Sequence, residues 1–321
     1  GGAIHATDAS NASRTLLFDL TTQRWSPRLC AIFRVPPAIL PEVQDTASDF
    51  GFIQRELLGA AIPLRALVGD QQAAAFGQGC LEPGSAKATY GTGCFTVQNT
   101  GAQILNSRNR LLSTQAWRLK GVSTFALEGS IFHAGTVVQW LREGLGLLGS
   151  SQDAEKLARS ADSRRRVYLV PAFTGLGAPW WDPSARGALH GLTRETNASD
   201  LARAALEAAC FQTRDLLDAA RSDGAEPPSE LRVDGGMARN EWFLQALADL
   251  CALPIARSTT TESTARGAAL LAGVSLGLQE SEEAARSWQA ERRWLPRMGE
   301  DERSERHAGW LRAVRRTLSE N

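Results

Sequence analysis

An α/β fold is predicted for this chain, and three observations predict it. Apolar runs short enough to be strands alternate with segments of helical periodicity. Three of those runs, in "ALVGDQQAA", "TYGTGCF" and "RVDGGMARN", end on glycines beside a polar side chain, where a backbone must approach something closely. Finally, 321 residues of which 43% are hydrophobic can fill one large core or two moderate ones. Lysine plus arginine and aspartate plus glutamate both number 35, and no segment gathers the basic side chains that a phosphate backbone requires. Nucleic acid is therefore not an expected partner. Gly, Pro or charge interrupts every long apolar run, so no membrane span and no signal peptide is expected, and the expected location is cytoplasmic. The five cysteines (Cys30, Cys80, Cys94, Cys210, Cys251) are scattered without CxxC spacing and read as small buried apolar residues.

Along the chain, residues 1–78 alternate short apolar runs with turn residues. The stretches "VPPAILPEV" and "AAIPLRALVGD" predict loops entering strands, the last ending at Gly69 with Asp70 at its tip. From Gly79 to Gly101 the glycine-rich stretch predicts turns and a hairpin, and this is the expected start of a second domain, 79–321. Glu128 to Leu148 is predicted to be a helix with its amino end near Ser130 to Gly135, because Val137, Trp140 and Leu141 recur at helical spacing. "RVYLVPAFTGLGAPWW" reads as a buried strand and a loop. The clearest helix follows, with Leu206, Ala209, Cys210, Thr213, Leu217 and Ala220 on one face, Ser199 as amino cap and Gly224 as carboxyl cap. "LRVDGG" is a strand meeting a glycine turn, "NEWFLQALADLCAL" the helix after it, and "STARGAALLAG" a final small-residue helix. The mixed-sign run "ERRWLPRMGEDERSER" reads as solvated surface, and His133 as a structural or solvated side chain.

Taken in order, "GDQQAAAFGQG", "YGTGCFTVQNTG", "LEGSIFHAG", "VPAFTGLGAPWWDPSARGALHGLTR", "LRVDGGMARN" and "ARGAALLAG" resemble the carboxyl-terminal part of the glycerol kinases of the FGGY carbohydrate kinase family. The resemblance runs over essentially the whole chain. It implies the actin-like, ribonuclease-H-like ATPase fold, with one partial domain (1–78) and one complete domain (79–321) flanking a catalytic cleft. The family's amino-terminal phosphate loop and its polyol-clamping Arg-Glu pair, Trp and Tyr have no match in these residues. The chain starts at Gly1 and its only methionines are Met237 and Met298, so a processed or truncated product is expected.

The resemblance also implies roles. Asp70 corresponds to the general base that takes the proton from the attacking glycerol hydroxyl, Gln71 orients the polyol, and Phe95 packs on its carbon edge. Thr92, between Gly91 and Gly93, belongs to the hairpin that approaches the phosphates. Gly135 and Gln139 border the nucleotide, and Gly236 and Asn240, with Met237 beside them, form the adenosine motif. The implied reaction is phosphorylation of glycerol by ATP as its Mg2+ complex, giving sn-glycerol 3-phosphate and ADP. No protein side chains are assigned to the metal, and self-association is left open. Two other readings stand beside this one: a kinase for another small polyol or ketose, opposed by "GDQQAA" and Phe95, and a noncatalytic nucleotide-binding fragment. The 321 residues alone are expected to lack kinase activity.

Overall fold

The computed structural model describes residues 2–319. Its centre is a seven-stranded mixed sheet. In spatial order the strands are Ala290–Trp294, Ile255–Ser258, Leu231–Asp234, Ala86–Tyr90, Cys94–Gly101, Val122–Ile131 and Leu112–Leu119. The second, third and fourth run parallel, and the edge strand Ala290–Trp294 and the hairpins at the Leu112 end are antiparallel. Helices cover both faces. Ala198–Ser222 and Glu241–Cys251 pack on one, enclosing Ala88, Tyr90, Leu206, Phe211, Val233, Phe243 and Leu247, all at most 1% exposed. The short helix Asp70–Gly77 and the helix Ser263–Ser275 pack on the other, around Phe76, Val97, Trp117 and Leu271. A side-chain period of two along Ala86–Tyr90 sends Ala86, Ala88 and Tyr90 into the first core and turns Lys87 and Thr89 toward the second face.

The amino-terminal residues form small paired segments. Ala6–Asp8 lies parallel to Glu42–Gln44, and the buried Asp8 carboxylate accepts from Ser10 N and Asn11 N at 2.9 Å each and from Thr46 Oγ1 at 2.8 Å. This segment is joined to the main sheet by Ser13 and Arg14, which both hydrogen-bond Thr114 Oγ1.

The predicted hairpin, buried strand Tyr168–Val170, strand Leu231–Asp234 and helix Glu241–Cys251 are present. Four expectations need correction. Asp70 is not at a strand tip: Leu64–Gly69 makes only an isolated bridge (Ala66 to Ala47), and Asp70 is the first residue of a helix. Glu128–Ile131 is strand, because it pairs with Cys94–Val97, with Glu128 also opposite Leu112 on the other side, and the helix starts at Gly135, inside the range expected for its amino end. The amino cap of the long helix is Asn197, whose side chain accepts from Ser199 N and Asp200 N while Asp200 Oδ2 accepts from Asn197 N, a reciprocal box that Ser199 does not make. Gly224 does lie just past the carboxyl end, at φ +93°.

The fourth correction is partial and concerns the run taken for solvated surface: most of residues 291–306 are exposed as expected, but Trp294 and Arg306 are buried, at 4% and 5% exposed. A helix, Glu300–Thr317, begins within the run. Arg306 and Arg203 both bond the buried Glu207 carboxylate; burial works against its ionisation, and the two guanidiniums outweigh burial and hold Glu207 below the usual carboxylate range. Trp310 on the same helix stacks on Phe211 at 5.3 Å, and its indole N–H donates to Asp215. No cysteine is paired; all are buried except the half-buried Cys251, and burial pushes the Cys80 thiol up to about 11.

Candidate active site

The Asp70 carboxylate is placed by what precedes it. Gly69 is extended (φ −62°, ψ 146°), and its N–H donates to Ser10 Oγ at 2.9 Å, so the amino-terminal segment fixes where the helix begins. A Cβ at Gly69 would lie 2.4 Å from Gln72 Oε1, so any larger residue there would push that side chain aside. Asp70 in the first turn meets the positive end of the helix dipole. Both of its oxygens accept a bond from the next residue: Oδ1 from Gln71 N at 2.7 Å and Oδ2 from Gln71 Nε2 at 3.2 Å. The residue is exposed, so the remaining lone pairs face solvent.

Behind this pair lies Lys87, which was not identified from sequence. Its ammonium is fully buried and donates to Gln71 Oε1, to Thr89 Oγ1 at 3.1 Å and to the Phe95 carbonyl at 3.3 Å. Burial pushes it below the usual lysine range, against the pull of Asp234. The available signal was a charge in the middle of the buried strand "AKATY", flanked by alanines. Phe95 itself presents a ring 40% exposed. Glu128, 3% exposed and bonded by Arg14 at 2.8 Å, lies within the field of Asp70; burial pushes its carboxyl up, and Arg14 opposes this.

On the other side of the hairpin, a cavity of about 820 Å³ is lined by Gly91, Thr92, Gly135, Gln139, Gly236, Met237 and Asn240, with Arg142, Lys156, Arg159 and Arg239 adding positive charge. Seven of the residues proposed from sequence for a nucleotide thus share one cavity, of a size suited to such a ligand. Gly93 does not line it, and its role is packing: a Cβ there would lie 2.3 Å from Ile131 O. The hairpin tip docks on the start of the Gly135–Glu143 helix. Gly91 O accepts from Gly135 N at 3.0 Å, and Thr92 O accepts from Ala134 N at 3.0 Å and Thr136 N at 3.2 Å. The Gly91 N–H is spent within the turn on Gly93 O. Gly235, at φ +89° and with a would-be Cβ 2.3 Å from Tyr90 O, is needed for the fold, whereas Gly236 faces open space. Asn240 caps the next helix through Oδ1, accepting from Phe243 N at 2.8 Å, which leaves its NH2 as the end available to a ligand. Gln139 donates to Glu143 at 2.8 Å. His133 bonds Thr136 and Thr174 through its two ring nitrogens, a structural role.

Among the described residues, no three His, Cys, Asp or Glu side chains gather as a metal cage. Asp70 offers a single exposed carboxylate, which suits a cation that keeps most of its water and takes other ligands from phosphate oxygens. No helix of the described residues is long and apolar enough to cross a membrane.

Residues 2–77 match the amino-terminal domain of the FGGY family of carbohydrate kinases, and residues 86–276 match its carboxyl-terminal domain. Over all 321 residues the chain is 54% identical to a glycerol kinase of Ectopseudomonas mendocina, and over 98% of its length it is 54% identical to one of Alcanivorax borkumensis. It spans 65% and 63% of those two proteins. The crystal structure of Plasmodium falciparum glycerol kinase with ADP aligns at a TM-score of 0.91 and 36% identity, over 98% of this chain and 64% of that one. A ligand-bound xylulose kinase from Lactobacillus acidophilus aligns at 0.81 with 23% identity, over 97% of this chain and 63% of that one, a likeness of fold alone.

Proposed function

The chain belongs to the FGGY family of carbohydrate kinases, with that family's two domains and its actin-like ATPase fold, and from this premise we propose that it carries the base and the nucleotide cavity of an ATP-dependent glycerol kinase acting in the cytoplasm. We place the boundary between its two domains at residues 78 and 79. One observation carries the reading: Lys87 ties the Asp70–Gln71 pair to the strand of Phe95, one residue beyond the hairpin whose Gly91–Thr92 tip lines the large cavity. Base and nucleotide cavity are therefore linked through one hairpin.

In the proposed reaction an acceptor hydroxyl lies against the free lone pairs of Asp70. As its oxygen forms a bond to the γ-phosphorus, the bond from that phosphorus to the β,γ-bridging oxygen breaks, and the hydroxyl proton passes to the Asp70 carboxylate. Glycerol phosphorylated at a terminal carbon leaves as sn-glycerol 3-phosphate, with ADP. Gln71 and the Phe95 ring set the acceptor's orientation, one by hydrogen bonding and one by contact with the carbon edge. Magnesium bound with the nucleotide supplies neutralisation of phosphate charge.

The 321 residues alone are expected to bind ADP weakly and to phosphorylate glycerol at no measurable rate. Asp70 stands exposed, and lost positioning by itself forfeits about 7–11 kcal/mol of barrier lowering. Joined in frame to the part of the E. mendocina protein that the match does not cover, the chain is expected to release ADP only when glycerol is present. The measurement is a coupled ADP assay with glycerol, xylulose and no acceptor. Release with xylulose alone would replace glycerol as the substrate, and no release with either would leave a nucleotide-binding role.

The cavity assignment has its own test. Gly236→Val adds bulk where the fold is open, so ADP affinity is expected to fall by about tenfold or more, at least 1.4 kcal/mol, with the melting temperature unchanged. Titration calorimetry on a folded variant with undiminished affinity would remove Gly236 from the site.

A further inference from the structure

Lys87 is a buried ion that takes no chemical part in the reaction above, and its three contacts are specific. We propose that Lys87 is a positioning residue for the acceptor side of the reaction, acting through Gln71. The proposal rests on the reading of Asp70 as base.

The argument is one of donors and acceptors. An ammonium only donates, so the Gln71 atom facing Lys87 must be the carbonyl Oε1. That fixes the amide the one way round that turns its NH2 toward Asp70 Oδ2, 3.2 Å away. Rotated by half a turn, the same amide would set its oxygen against the carboxylate, two acceptors facing each other, and would leave the ammonium against an NH2 group. Lys87 therefore selects the rotamer in which Asp70 is held by donors on both oxygens, with its remaining lone pairs directed to solvent.

The other two ammonium protons are also accounted for. They go to Thr89 Oγ1 at 3.1 Å and the Phe95 carbonyl at 3.3 Å. With three donors used and no exposed surface, Lys87 has none left for a phosphate or a substrate hydroxyl. This separates it from lysines that bind phosphate as point charges. Its contacts join the first turn of the Asp70–Gly77 helix to the backbone of Phe95, so one side chain ties the helix that begins at the base to the strand that carries the aromatic ring.

The direct readout is the Gln71 side-chain amide in the 321-residue chain, followed by 15N NMR. In the native chain its two protons are expected as resolved, exchange-protected signals. In Lys87→Met they are expected to exchange at least about tenfold faster, with ADP affinity retained as the control for folding, and Lys87→Arg should restore part of the protection. If Lys87→Met does not fold, Lys87→Gln, neutral and of similar reach, carries the same measurement. An amide unchanged in a folded variant would overturn the proposal. The second readout is kinetic, in the glycerol-active fusion: Lys87→Met should lower kcat at least about tenfold at unchanged KM for ATP, yet cost less than about twofold when Gln71 is already Leu. Equal costs in both backgrounds would show that Lys87 does not act through Gln71. Absence of any glycerol turnover in the unmutated fusion would count against the kinase reading, while the amide measurement still decides the role of Lys87.

Discussion

Asp70→Asn is expected to lower glycerol-dependent turnover of the fusion by at least ~10²-fold while leaving ADP affinity within about twofold. The substitution is nearly isosteric and Asp70 is exposed, so little of the fold depends on its charge. What changes is the acceptor of the proton. An amide oxygen is far less basic than a carboxylate, and its NH2 would face one of the donors that Gln71 now offers, either the backbone N–H at 2.7 Å or Nε2 at 3.2 Å. Stopped assays with saturating ATP and glycerol, alongside ADP titration, separate the effects. Turnover within a few-fold of the unmutated enzyme would remove Asp70 from the role of base.

Gly267→Ala is expected to destabilise the protein by about 3 kcal/mol or more and to abolish turnover with it. In an ordinary helix interior the same change stabilises by roughly 0.5–1 kcal/mol, because glycine has the greater freedom to lose. Here the sign reverses. Helix Ser263–Ser275 crosses helix Asp70–Gly77 backbone to backbone, and a Cβ on Gly267 would stand 1.8 Å from Ala73 O and 2.9 Å from Gly77 N. Gly77 is held in the same way, with its would-be Cβ 2.1 Å from Ser263 O, and Arg266 donates to the Gly77 carbonyl. These atoms are main chain and have no rotamer in which to move aside. The helix that must shift is the one that begins at Asp70, so loss of stability and displacement of the base should come together. Thermal unfolding that matches the native chain would show that the two helices do not cross this closely.

These two residues differ in how they were found. Asp70 stood out because an apolar run breaks at a glycine before "DQQ", but its role, like those of Thr92, Gly236 and Asn240, came from the resemblance to the FGGY kinases. Gly267 lay in a stretch read only as a small-residue helix. Its partner, Ala73, is nearly two hundred positions away, and nothing in a local pattern states that two helices touch.

The sequence by itself determined the α/β class, the hairpin at Gly91–Gly93, the long helix with Gly224 beyond its end and the strand-to-glycine turn at Asp234–Gly236. Each is set within a few positions, by side-chain period, by the conformational freedom of glycine, or by a polar group beside it. Tertiary structure decided the rest. Glu128–Ile131 became strand because Cys94–Val97 offered a ladder, which ends where the helical residues begin. Asn197 rather than Ser199 caps the helix because only Asn197 is answered by Asp200. Lys87 and Arg306 are charges whose burial depends on acceptors that packing brings from other elements, Gln71 on the Asp70–Gly77 helix and the Phe95 carbonyl on the next strand for one, Glu207 on the long helix for the other. A buried charge is tolerated only when such partners surround it, and their presence is a property of the packed sheet and helices, not of the residues on either side.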